Sequence, residues 1–316
     1  MRVLITGVTG QDGSYLAEQL AAAGHQVFGL IRGQANHRRQ WIQNLVPSIE
    51  LIEGDLLDQS SLYRAITIAD PEVIYNLGAI TYIGVSWNQP TLMSEVTGLG
   101  PLRMLEAIRA INPDIKFVQA STSEMFGNAR EAPQNETTPL ALRSPYGAAK
   151  AFAHHLTINY RESYNMHAST AIMFNHESPR RGLEFVTRKV THAAAEIADG
   201  WKETLRLGSL TPCRDWGWAP EYMRALPLIA ARDEPGDYVL ATGEAHSVKE
   251  LCQVAFESVG LNYEDWLGYD ESMIRPADVP HLLGDASKAR KFLAWQPTIR
   301  FREIVERMVR AERESS

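Results

Sequence analysis

Short apolar runs recur through the first half of the chain at RVLIT, HQVFGLI, IELIEG, EVIYNL and IKFVQA. Between them stand AEQLAAAG, SLYRAITIA and LRMLEAIRAI, whose apolar positions fall every three or four residues. Strands that are apolar almost throughout are buried on both faces, so the alternation predicts a doubly wound parallel sheet covered by helices. A sixth run, ASTAIMF, follows the helical segment GAAKAFAHHLTINYRESY. After about Asn175 the texture changes to mixed polar segments, with short strands at TLRLG and DYVLATG and helices near 286–293 and 301–313. No low-complexity tract, linker or solenoid repeat interrupts it. The expected organisation is an α/β chain with a Rossmann domain over 1–174 and a smaller C-terminal α/β domain over 175–316. Segments between about 210 and 245 are expected to return to the first domain.

Composition narrows the class. The 316 residues are 45% hydrophobic and 22% charged, enough to bury a substantial core. A formal charge of −7 argues against binding nucleic acid or an anionic membrane by bulk attraction, so an anionic ligand must meet a local basic site. Cys213 and Cys252 are too few for a disulfide framework and imply no zinc or other metal site; two reduced thiols suit a cytoplasmic protein. The start, MRVLITGVTG, is too short in its apolar run for a secretory signal, and no stretch is long enough to span a bilayer.

The first chemistry lies directly after the first strand. GVTGQDG places Gly7, Gly10 and Gly13 at GxxGxxG spacing, and a helix opens at its end. Glycines let the backbone turn tightly and approach a pyrophosphate, whose charge then meets the helix N-terminus. Gly7, Gly10, Gln11, Asp12 and Gly13 are therefore the expected cofactor loop. A strand ending in an acid would suit the ribose 2′-OH of NAD, but the second strand ends LIRGQANHRR. Arg32, Arg38 and Arg39 could instead face a 2′-phosphate, which favours NADP while leaving NAD possible. Asp55 and Leu56 of EGDLLD follow the third strand; Asp55 either meets the adenine or caps the next helix. Leu77 in NLGAI follows the fourth strand and should lie along the cofactor.

Proton-handling groups come next. In SPYGAAK, Tyr146 and Lys150 are four apart on a helix and share a face, and an ammonium near a phenol favours the phenolate needed by a general base. STSEMFG, at the exit of the fifth strand, adds Thr122 to hydrogen-bond the same substrate hydroxyl, and Glu124, a carboxylate that a simple alcohol dehydrogenase has no use for. All would meet at the carboxyl edge of the sheet, where open α/β folds bind ligands.

These blocks resemble the extended short-chain dehydrogenase/reductase superfamily and, within it, the GDP-mannose 4,6-dehydratases. The resemblance runs nearly end to end through GQDGSYLAE, GVSWNQP, ASTSEMFG, RSPYGAAK, NYRESY, FNHESPRRG, FVTRK, CRDWGWA, ATGEAHSV, RPADV and LLGDASKA. It implies a lyase of deoxysugar biosynthesis in which Tyr146, helped by Lys150 and Thr122, removes the C4 hydroxyl proton as hydride goes to NADP. Glu124 then removes the C5 proton as the C6 hydroxyl leaves as water. Related dehydratases carry an Asp-Glu pair after the threonine, whereas Ser123-Glu124 implies one carboxylate serving as base and acid. Ser86, Asn175, Lys189, Arg214, Arg275 and Asp278 match positions that contact the nucleotide sugar. Arg180, Arg181 and Arg188 are open between ligand and subunit contacts. A homodimer through the Tyr146 helix, or a homotetramer, is also implied.

The chain departs from the family at Arg32-Gly33-Gln34-Ala35, where an Arg-Arg-Ser-Ser element is usual, and at NLGAIT, where Ile80 replaces a glutamine expected beside the sugar. Such changes would suit another GDP-sugar, a heptose or octose. The alternatives are a GDP-sugar C4 epimerase using the same Thr122, Tyr146 and Lys150, and a non-catalytic NADP-binding protein.

Overall fold

The computed structural model describes residues 1–33, 36–274 and 277–315. Six strands alternate with helices through the first half: β1 (Arg2–Thr6), β2 (Gln26–Ile31), β3 (Glu50–Glu53), β4 (Val73–Asn76), β5 (Lys116–Thr122) and β6 (Ala168–Met173). They pair in parallel in the order β3-β2-β1-β4-β5-β6. The helices between them are α1 (Gln11–Ala22), α2 (Arg38–Leu45), α3 (Gln59–Ala69), α4 (Ile83–Asn88), α5 (Pro90–Met93), α6 (Gly100–Ile111) and α7 (Pro145–Tyr164). Chain order reverses at β1, which opens a crevice between β1 and β4 at their carboxyl ends.

A buried polar ladder crosses that edge. Thr6 Oγ1 donates to Asn76 Oδ1 at 2.7 Å, and Asn76 Nδ2 donates to Gln119 Oε1 at 2.8 Å, joining residues opposite one another on β1, β4 and β5. Strands apolar on both faces carry little register information of their own, and each of these pairs is satisfied in only one alignment. The ladder thus sets the relative heights of the loops that leave β1, β4 and β5.

Ser144 starts α7 by accepting from the Gly147 N–H at 3.0 Å, and Pro145 occupies the first helical turn. Tyr146 and Lys150 therefore project from one rigid, well-started helix.

The second half builds β7 (Asn175–Glu177), α8 (Val186–Ala198), β8 (Leu205–Leu207), β9 (Cys213–Trp218), α9 (Ala219–Ala230), β10 (Asp237–Leu240), β11 (Ala245–Ser247), α10 (Val248–Glu257), β12 (Leu267–Tyr269), β13 (His281–Leu282), α11 (Ser287–Leu293) and α12 (Phe301–Ser315). β10 joins β6 as the seventh parallel strand of the main sheet. β9 is the centre of a smaller sheet, flanked by β7, β11 and β13, and β8 pairs with β12. A separate apolar core forms beneath it from α8, α10 and α12, with Val190, Leu251, Phe256 and Val305 buried. No helix is long and apolar enough to cross a membrane among the described residues.

Candidate active site

The loop after β1 is closed by the Gly10 N–H donating to Gly7 O at 2.9 Å, with Gly7 at φ +68°. A Cβ on Gly7 would lie 2.8 Å from Gly78 N, and one on Gly13 would lie 2.3 Å from Gly7 O, so side chains are excluded at both. Gly10 precedes α1 with no side-chain cap, leaving the first-turn N–H groups turned to the crevice without one. Such a cradle fits the pyrophosphate of a dinucleotide. Arg38 donates to Thr9 O at 2.8 Å, which brings its guanidinium over this loop, whereas Arg39 pairs with Glu53 and Arg32 is exposed just beyond β2. Gln34 and Ala35 lie outside the described residues. Leu77 lines the cavity beyond the loop; Leu56 is buried in the core against Gly78 and Gly100. Asp55 does not cap α3. Asp58 does, and Asp55 accepts from the Leu57 N–H at 2.9 Å within its own turn.

Two loops distant in sequence are latched at the head of α1. Gln11 donates to His176 O at 3.0 Å and accepts from Ser178, while Asp12 Oδ2 lies 3.0 Å from His176 Nε2. His176 Nδ1 is 2.7 Å from Phe174 O, so both ring nitrogens lie near acceptors, an arrangement that favours the imidazolium form. Burial disfavours that charge, but Asp12 outweighs it and the His176 pKa is raised. Burial likewise works against the Asp12 carboxylate, yet His176 and Gln11 bring its pKa down to about 2. Tyr222 stacks on the His176 ring at 4.9 Å.

Thr122 ends β5, Glu124 follows in a 3₁₀ turn, and Tyr146 and Lys150 face them from α7. All four line one cavity of about 660 Å³. Thr122 lies beside the Tyr146 hydroxyl, and Lys150 Nζ donates to Ala120 O at 2.7 Å. Lys150 was expected to lower the Tyr146 pKa; in the protein alone the phenol is pushed up instead. Burial is the main cause, with Glu124 and Asp12 adding to it and the Thr122 hydrogen bond opposing it. Lys150 is itself lowered to about 8 by burial, against the pull of Asp12.

Asn175, Lys189, Arg214 and Asp278 line the same cavity. Arg275 lies outside the described residues. Ser86, expected to meet the substrate, is fully buried inside α4 and donates to Ile83 O at 2.7 Å, because the helical turn offers its hydroxyl an acceptor there. Ile80 packs with Ile83, Met93 and Ala149 against the Tyr146 ring, while Thr81 and Tyr82 face the cavity. Of the three arginines left open, Arg180 pairs with Glu18 and Arg188 with Glu312, and Arg181 lines the cavity with its guanidinium 3.7 Å over Phe185. His176, Tyr82 and Thr187 were not among the expected site residues, and Arg181 was left open between ligand and subunit contacts. The polar run FNHESPRRG after the sixth strand was the signal for His176 and Arg181.

A parallel dinucleotide fold whose glycine loop faces Thr122, Tyr146 and Lys150, under a second α/β unit, defines an extended short-chain dehydrogenase/reductase. Solved structures of that kind match over essentially the whole chain. The UDP-glucose 4-epimerase of Thermus thermophilus, complexed with NAD, has a TM-score of 0.87 and 28% identity, covering 100% of each chain. The dTDP-glucose 4,6-dehydratase of Streptomyces venezuelae, with NAD bound, has a TM-score of 0.89 over 99% of this chain and 97% of its own; at 22% identity it speaks for the fold alone. The model of the GDP-mannose 4,6 dehydratase family matches residues 4–308. GDP-mannose 4,6 dehydratase 1 of Arabidopsis thaliana is 45% identical over 97% of this chain and 88% of its own length. The Sinorhizobium fredii enzyme of that name is 44% identical, over 98% and 95%. The chain belongs to the GDP-mannose 4,6-dehydratase family.

Proposed function

We propose that the protein converts GDP-mannose to its 4-keto-6-deoxy derivative by internal oxidation, elimination and reduction. The observation that carries this reading is Glu124, a carboxylate in the same cavity as Thr122, Tyr146 and Lys150. C4 epimerisation needs the last three and no carboxylate; removing the C5 proton needs Glu124.

When bound, NADP supplies the nicotinamide that takes the C4 hydride, keeps it through the elimination and returns it to C6. Tyr146 accepts the proton of the C4 hydroxyl, with Thr122 beside the phenol oxygen to bind the same hydroxyl. Lys150, fixed by Ala120 O, holds its ammonium beneath the tyrosine, 6.0 Å from the ring centre. The new ketone acidifies C5, and Glu124 carries the C5 proton to the C6 oxygen, which leaves as water. The proton held by Tyr146 then goes to C5 as hydride reaches C6, so Tyr146 and Glu124 both end as they began. Ser123 stands where a second carboxylate would be, so the single Glu124 performs both halves of the elimination.

Arg38, over the phosphate loop, supports NADP over NAD, and calorimetric titration with each dinucleotide tests this. The exposed Phe152 on α7 and Leu92 on α5 support a homodimer packed through that face, testable by light scattering. The function is tested by incubating the protein with GDP-mannose and weighing the nucleotide sugar by mass spectrometry beside Glu124→Gln. Loss of one water, absent in the variant, is expected. An isomer of unchanged mass would mean epimerisation and overturn the reading.

A further inference from the structure

Arg214 sits on β9 with a buried guanidinium between two carboxylates. Nε lies 3.8 Å from Glu124 Oε1, and Nη2 lies 3.4 Å from Asp278 Oδ1. Nη1 donates to Val279 O at 2.7 Å and to Cys213 O at 3.0 Å, so the group is anchored to backbone. Among the described residues, Arg214 is the one cation within ion-pair distance of Glu124. Glu124 is 8% exposed and Arg214 7%, which removes most of the solvent screening that makes surface pairs weak. Glu124 also sits in a short 3₁₀ turn, and its own N–H reaches only Thr122 Oγ1 at 3.3 Å. Among the described residues its carboxylate makes no hydrogen bond that would fix its direction.

We propose that Arg214, besides meeting the substrate diphosphate, is the positioning residue of the elimination step. It holds Glu124 Oε1 where one carboxylate can reach both the C5 proton and the C6 oxygen. The inference rests on the dehydratase reading. When Glu124 takes the C5 proton the ion pair is lost, and delivery of that proton to the departing oxygen restores it. The carbonyl of Val279 keeps the guanidinium from following the substrate, so base and diphosphate site are held in fixed relation through one side chain.

The test uses holoenzyme, GDP-mannose at saturation, and the variants Arg214→Gln and Arg214→Lys. Oxidation at C4 needs Tyr146 and precedes the work of Glu124. Misplacing the carboxylate should therefore stall the cycle after oxidation. In Arg214→Gln, kcat should fall on the order of 100-fold, the loss expected for a reacting group about 1 Å out of place. Reduced nicotinamide should meanwhile accumulate on the enzyme, read from its near-ultraviolet absorbance. Arg214→Lys keeps a cation and should recover part of kcat with less accumulation. It also preserves the test if Arg214→Gln fails to fold, which cofactor content and circular dichroism report. A raised KM with wild-type kcat and no reduced cofactor would mean that Arg214 serves the diphosphate alone, and would overturn the inference while leaving the dehydratase reading intact. If the wild type itself removes no water, that reading fails and the inference falls with it.

Discussion

Lys150 offers a quantitative check on how the fold treats its catalytic groups. Its side chain belongs to a residue 4% exposed, with one hydrogen bond to Ala120 O, and burial takes its pKa from an ordinary 10.5 to about 8. Between those values the unfolded chain binds a proton that the folded protein does not, so stability rises with pH across that interval. Below about pH 8 both states are protonated and the burial cost is borne in full. Integrating the linkage between about pH 7 and about pH 10 gives a gain on the order of 2 to 3 kcal/mol from this one group. Lys150→Met removes the titration and keeps the apolar stem. The expected result, from urea unfolding of cofactor-free protein, is that wild type gains on the order of 2 to 3 kcal/mol on the variant between those two pH values. Every other titration is shared and cancels in the difference. A gap independent of pH, or one moving the other way, would refute the claim that the lysine is held as a strained cation by the fold alone.

His176→Asn tests the latch between β7 and α1. The folded His176 pKa is raised, so its contribution is complete below about 6.5 and is lost as pH rises through the folded value; that of Asp12 is present above about 3.8 and lost as pH falls towards 2. The variant should lose on the order of 2 kcal/mol near pH 5 and less near pH 9 by urea unfolding, and an equal loss at both would refute a charged pair. Gly13→Ala places a Cβ 2.3 Å from Gly7 O, so the phosphate loop must shift. NADP affinity by calorimetry should fall at least about tenfold, the equivalent of about 1.4 kcal/mol, and unchanged affinity would show the crevice to be wider than drawn.

The first six strands were legible because each is a continuous apolar run, and α1, α3, α6 and α7 because their apolar positions repeat at helical spacing. β9 was not, since CRDWGW puts a cation and an acid where a buried strand should be apolar. Asp215 is fully buried there because it accepts from Thr242 N, Thr242 Oγ1 and Gly243 N at 2.9, 2.6 and 2.9 Å. Those partners sit in the ATG turn after β10 and carry no local trace in the strand itself. DYVL was readable as a strand, but its place beside β6 depends on a partner far off in sequence. The Tyr146–Lys150 spacing was legible and its electrostatics were not, because burial of the phenol outweighs a lysine that is itself desolvated.

The cations near the cavity illustrate the same limit, and they sort by partner. Arg180 is engaged by Glu18 and Arg188 by Glu312, so neither has its charge free for a ligand, although both stand in the same basic stretch of sequence as Arg181 and Lys189. Arg214 already faces Glu124 and Asp278. Lys189 differs: among the described residues its ammonium meets only Met273 Sδ, at 3.3 Å. Burial lowers its pKa, with Asp270 opposing, which marks an under-solvated charge without a close counter-ion. An incoming diphosphate would relieve that deficit at Lys189 and meet an already neutralised group at Arg214. On the proposed dehydratase reading Lys189 would then contribute more to diphosphate binding than Arg214, whose place beside Glu124 would connect binding with the elimination.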